Sequence, residues 1–177
     1  MSLPRFLLPL LLLALPLRAQ TSWQQHFLHT LPLLGRGDWI VIADPAYPLQ
    51  TPLGIDTVAT GLSQPDLLTV VLDTLASDRH VRPIFFTASE LPFVSERDAN
   101  GIGSYRAQLA TLLRTGTVTS LPQQQIETMV DDAARTCHVL VLKSVTLLPY
   151  TAVFIKLDSA YWSPDAEKRL RAAMQPK

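Results

Sequence analysis

Five polar residues sit at or near the ends of short apolar runs, and chemistry in this chain has to be sought among them. Asp44 ends the run WIVIA and is followed by Pro45 and Pro48. Glu90 follows IFFTAS, Lys143 closes HVLVL, Tyr150 opens YTAVFIKL, and Arg36 lies in the Gly35-Arg36-Gly37-Asp38 turn before the first run. Carboxylates, a guanidinium and a phenol can hold hydroxyls or an acidic group. Proton transfer near neutral pH calls for a group that titrates there, and histidine is the usual one. The four histidines are His26, His29, His80 and His138. His26 and His29 stand three apart on a helical stretch, a spacing that can share a metal, but no third ligand accompanies them. No metal site is expected. The chain has no G-x-S-x-G elbow and neither P-loop nor G-x-G-x-x-G, so nucleophilic hydrolysis and phosphate cradling lack their frames. Arg36-Gly37-Asp38 spells an adhesion tripeptide, but it runs directly into a strand, and its glycines read as a tight turn.

The elements that must position these residues alternate. SWQQHFLHTLPLLG spaces Trp23, Phe27 and Leu31 as one face of a helix, with Gly35 at its stop. DWIVIAD is apolar on both faces, as in a covered parallel sheet. Ser63 caps a helix that carries Pro65 in its first turn and Asp66 near the positive end of its dipole. VRPIFFTAS is a second buried strand. A turn at NGIG, residues 100 to 103, leads to the helix SYRAQLATLLR. Residues 123 to 135 are helical, HVLVLK and YTAVFIKLD are the third and fourth strands, and SPDAEKRLRAAM is a polar closing helix. This order predicts a layered α/β domain with a largely parallel sheet and helices on both faces. Ligands in such sheets sit at the carboxyl ends of the strands, where Asp44, Glu90 and Lys143 fall.

The first nineteen residues, MSLPRFLLPLLLLALPLRA, have the layout of a secretory signal peptide: an early cation at Arg5, an apolar run, and Ala19 at a cleavage point. The run is short for a membrane span, which takes about 20 apolar residues, and Pro9 and Pro16 interrupt it. An uncleaved anchor is the alternative. The expectation is an exported, periplasmic or secreted protein with a single domain over residues 20 to 177 and no membrane contact after cleavage. Removing residues 1 to 19 takes away Arg5 and Arg18 and leaves 13 basic residues against 15 acidic, a net charge of −2. That balance gives no reason to expect nucleic acid or anionic lipid. Cys137 is the only cysteine, so no internal disulfide forms, and its place in CHVLVL reads as a buried, inert thiol.

The order helix, LG-basic-GD, strand, ADPAYP, and later LPYTAVFIKL resembles the RbsD/FucU family of sugar mutarotases, the ribose pyranases and fucose mutarotases. The resemblance runs from about Ser22 to Ser159. It implies a compact α/β fold, no cofactor, a monosaccharide partner and ring-like homo-oligomers whose neighbouring subunits share each pocket. Family members interconvert anomers or ring forms of a free sugar and use the histidine of LGHGD as proton donor. Carried over residue by residue, the sugar-binding aspartate is Asp44 and the tyrosine is Tyr150. The proton-donor position is held by Arg36, which stays charged and cannot shuttle a proton. The asparagine of the Y-x-N segment becomes Ala152, after Thr151. The later basic residue falls on Thr128 when counted without gaps from Tyr150, or on Gln125 with a small gap. These substitutions predict a monosaccharide-binding protein lacking the usual histidine donor. One alternative is an exported mutarotase or pyranase that uses His26, His29 or Asp44 instead. The other is a non-catalytic structural oligomer in which Asp44 only caps a turn.

Overall fold

The computed structural model describes residues 22 to 175, so the expected signal peptide at residues 1 to 19 lies outside the described residues. Six strands form one sheet. They are β1 (Trp39–Ala43), β2 (Ile55–Ala59), β3 (Val81–Ala88), β4 (Val118–Leu121), β5 (Val139–Lys143) and β6 (Val153–Ser159), in the order β2-β5-β1-β6-β3-β4. The pairs β1–β5, β2–β5 and β3–β4 are parallel, whereas β6 runs antiparallel to both β1 and β3. The sheet is therefore α/β and mostly parallel, with one reversed strand in its interior. The nine residues between β5 and β6 are too few for the crossover of a dozen or more that a parallel return needs. They pass over the end of β1 and enter β6 from that side.

Among the described residues five helices accompany the sheet: α1 (Ser22–Thr30), α2 (Gln64–Ser77), α3 (Ile102–Leu112), α4 (Gln123–Ala133) and α5 (Pro164–Ala173). Trp23, Phe27 and Leu31 are buried as their spacing requires, and Pro32 tightens the end of α1 into a 3-10 turn, Leu31–Leu33. The α1–α3 side packs on Ile40, Ile42, Leu140, Leu142, Val153 and Ile155. On the opposite face α4 sets Ile126, Val130 and Ala134 against Trp39, Val41, Val141 and Phe154. Each fully buried apolar side chain of this size contributes about 1.5–3 kcal/mol, so the three central strands are the rigid part of the molecule. Ser63 caps α2 as expected, its Oγ accepting from the Asp66 N–H at 3.3 Å. In α5 no residue is buried.

Two strands escape the sequence reading, β2 and β4. Both lie at sheet edges, and neither has a residue below the fully buried level. Cys137 also differs from expectation. It precedes β5 rather than lying in it, is half-buried, and packs against Gly37.

Candidate functional site

Because every strand but β6 runs the same way, one edge of the sheet collects the carboxyl ends of β1 to β5 and the amino end of β6. Asp44, Thr60, Glu90, Lys143 and the segment Tyr150–Ala152 all lie there. The β1–β6 register pairs Ile42 with Val153. Asp44 lies two residues beyond Ile42 and Thr151 two residues before Val153, at the same end of the pair. The aspartate and tyrosine segments, 106 residues apart in the chain, are thus neighbours across one antiparallel pair.

Asp44 is half-buried, and its Oδ1 accepts from the Ala46 N–H at 2.7 Å. The Tyr47 N–H donates to the Asp44 carbonyl at 3.3 Å. This is an Asx turn, in which the side chain stands in for a backbone acceptor and Pro45 fixes the next φ. Oδ2 makes no hydrogen bond among the described residues and remains available to a ligand. Tyr47 then anchors the loop by burying its ring against Phe154. Burial, followed by the charges of Glu127 and Asp131, pushes its phenol far above the usual range, so it stays neutral.

Tyr150 has φ +58°, the one non-glycine residue with positive φ among those described, and its ring is exposed. A left-handed tyrosine costs about 1–2 kcal/mol and persists only where its surroundings hold it. Thr151 supplies that hold. It is fully buried, its Oγ1 donates to the Leu148 carbonyl at 2.8 Å, and its own carbonyl accepts from Tyr105 Oη at 2.7 Å and from Gln64 Nε2. Ala152 is buried in the α4-side core and offers only packing.

Lys143 is half-buried and makes no ion pair among the described residues. Its carbonyl accepts from Thr60 N–H at 3.0 Å and Thr60 Oγ1 at 2.9 Å, which ties β2 to β5. Glu90 accepts from the Gln123 N–H through both oxygens, at 3.1 and 3.2 Å. It caps the start of α4, where a carboxylate meets the positive end of the helix dipole. Thr128 lies on the exposed side of α4, its Oγ1 bonded back to the Gln124 carbonyl at 2.8 Å, while Ile126 and Val130 face the sheet. Gln125 is exposed as well.

Arg36 stands at the other end of β1. The five residues of that strand, at about 3.3 Å each, separate it from Asp44 by roughly 16 Å or more. Within one chain the two do not meet. Gly37 takes φ +103° and donates to the Leu157 carbonyl at 2.9 Å. Asp38 closes the turn, Oδ2 accepting from Gly35 N–H at 2.6 Å and Oδ1 from His138 N–H at 2.7 Å. Arg36 adds a weak favourable field to Asp158 and Glu167 at this edge. His80 and His138 also belong to this amino edge, directly before β3 and β5. His26 is held by Asp56 of β2 at 2.6 Å. No three His, Cys, Asp or Glu side chains gather as a metal site among the described residues.

Sequence reasoning did not reach Gln64 or Tyr105. The glutamine sits between a capping serine and a first-turn proline, and the tyrosine follows Ile102 at core spacing, so both are masked by their helices. A cleft of about 730 Å³ lies elsewhere, between α2, α3 and β3, with Asp73 and Arg114 in its walls. It contains none of the residues at the carboxyl edge.

No protein-family model and no curated relative matches the sequence. Among solved structures, the chain is similar to Bacillus subtilis RbsD complexed with D-ribose, at 20% identity and TM-score 0.53. That match covers 75% of this chain and 91% of the other. FucU from Bifidobacterium longum is similar at 18% identity and TM-score 0.52, covering 76% and 94%. At these identities the likeness is one of architecture, and the chain has an RbsD/FucU-like fold.

Proposed function

We propose that this protein binds a monosaccharide at the carboxyl edge of its sheet, with Asp44 and the Tyr150–Ala152 segment on the sugar side. The observation that carries the reading is their convergence across the β1–β6 pair on a fold shared with a ribose-complexed protein. Oδ2 of Asp44 can accept from a sugar hydroxyl, and the exposed Tyr150 ring offers a flat apolar face and a phenol. Isomerisation has weaker support. Arg36 cannot exchange a proton near neutral pH, and no histidine among the described residues lies at the carboxyl edge. Export and assembly into a homo-oligomer complete the proposal. In that assembly Thr128 and Arg36 serve a pocket only by facing a neighbouring copy.

NMR exchange spectroscopy with D-ribose, L-fucose and a uronic acid tests the reading. Saturable binding without faster anomer exchange is the expected result. Acceleration that disappears in Asp44→Asn would make the protein an isomerase. Absence of binding to all three would leave the structural oligomer.

A further inference from the structure

We infer that Gln64 and Tyr105 are positioning residues for the sugar-side tyrosine, and that Gln64 fixes the spacing between Asp44 and Tyr150. The inference rests on the sugar-binding reading above and extends it to two side chains buried behind the carboxyl edge. Gln64 is 0% exposed. Its Nε2 donates to the Ile42 carbonyl at 3.3 Å and to the Thr151 carbonyl. Ile42 lies two residues before Asp44, and Thr151 follows Tyr150. One amide group therefore cross-links the backbones that carry both sugar-side residues.

The position of Gln64 is itself fixed. Its N–H donates to Thr146 Oγ1 at 2.8 Å, and Thr146 N–H donates to Ser144 Oγ at 3.3 Å. Ser144 N–H in turn donates to the Ala43 carbonyl at 2.8 Å. The loop from β5 to β6 is thereby threaded onto the start of α2 and the end of β1. Gln64 Oε1 is buried without a partner among the described residues. A merely space-filling residue would avoid that loss, and the two N–H donors are what the site uses.

Tyr105 approaches from α3 and gives the Thr151 carbonyl its second donor at 2.7 Å. With that carbonyl accepting two hydrogen bonds and Thr151 Oγ1 bonded to the Leu148 carbonyl, Thr151 is held through both its backbone and its side chain, directly after Tyr150. Tyr150, between Leu148 and the anchored Thr151, keeps its left-handed φ of +58°, and its ring is exposed at the edge. Strain held by convergent buried hydrogen bonds is the arrangement expected of a preorganised binding residue.

The test uses Tyr105→Phe, which removes one oxygen and keeps the ring in the core, with Tyr150→Gly and the double variant. Titration of D-ribose and L-fucose is followed by NMR, together with the Tyr150 backbone and ring resonances. Tyr105→Phe is expected to shift those resonances and to weaken sugar binding about fivefold or more, a loss near that of one neutral hydrogen bond. In the Tyr150→Gly background the same change should cost no further affinity, whereas a general structural defect would add its loss in both backgrounds. Unmoved Tyr150 resonances with unchanged affinity, or additive losses, would overturn the inference. If the wild-type protein binds none of D-ribose, L-fucose and a uronic acid, the sugar reading fails. The positioning of Tyr150 is then judged by its resonances in Tyr105→Phe and Gln64→Leu: shifts in both support it, and shifts in neither refute it.

Discussion

On the proposed reading Asp44 performs two tasks with one carboxylate, and substitution can separate them. Oδ1 closes the Asx turn by accepting from Ala46, and asparagine forms that turn equally well. Oδ2 makes no hydrogen bond among the described residues and, on the proposed reading, meets the sugar. Asp44→Asn should therefore keep the melting midpoint within about 2 °C, as for substitutions worth less than about 0.5 kcal/mol. Sugar affinity should fall about tenfold or more, because a charged hydrogen bond is worth about 1.5–3 kcal/mol. Thermal melting and an NMR titration of the same sample check both halves. A large drop in midpoint would mean that the turn itself needs the charge. At this scale the placement of Asp44 and Tyr150 at strand ends was legible in the sequence, because polar residues at the ends of apolar runs stand out. Gln64 and Tyr105 were not, because a buried donor inside a helix looks like any other helical residue until its acceptor, here 87 or 46 residues away, is known.

Among the elements, β6 is the one whose direction decides the site. Read as a parallel strand, it would carry Tyr150–Ala152 to the edge occupied by Arg36; running antiparallel, it brings them to Asp44. The length of the β5–β6 connection holds the clue to that direction, whereas the pattern YTAVFIKLD shows only that a strand is present. The missed strands have a different cause. IDTVA and VTSL pair on one side only and are half-exposed, so their apolar content is too low to stand out against the turns around them.

The far end of β6 is secured by charge. Arg82 and Asp158 face each other in the β3–β6 register and form an ion pair. Burial works against the Asp158 carboxylate. The hydrogen bond from Arg82, that from the Ser159 N–H, and the charges of Arg82 and Arg36 outweigh it and hold the group below its ordinary value of 3.8. A lowered folded-state value stabilises the protein above the unfolded one, and the contribution is lost as pH falls through the folded one. The wild-type midpoint should therefore exceed that of Asp158→Asn most at pH 6 to 7, with the difference closing below about pH 4. A gap independent of pH across melts from pH 3 to 7 would show that shape, not charge, secures this end.

For the molecule as a whole, the two ends of β1 pose the remaining problem. The resemblance puts Arg36 and Asp44 in one pocket, yet in a single chain they occupy opposite edges of the sheet. A homo-oligomer with head-to-tail contacts reconciles the two, since each copy would then offer its amino edge to the carboxyl edge of the next. Complementation tests this geometry directly. Arg36→Ala and Asp44→Asn each damage every pocket of a homogeneous assembly. When equal amounts are unfolded and reassembled together, random mixing places two intact residues in about one interface in four. Sugar binding should reappear with about a quarter of the wild-type stoichiometry and with wild-type affinity. If Arg36 serves no pocket, Arg36→Ala alone binds normally, and the mixture shows about half of the wild-type sites. If both residues act within one chain, neither variant recovers anything on mixing, and the head-to-tail arrangement is wrong.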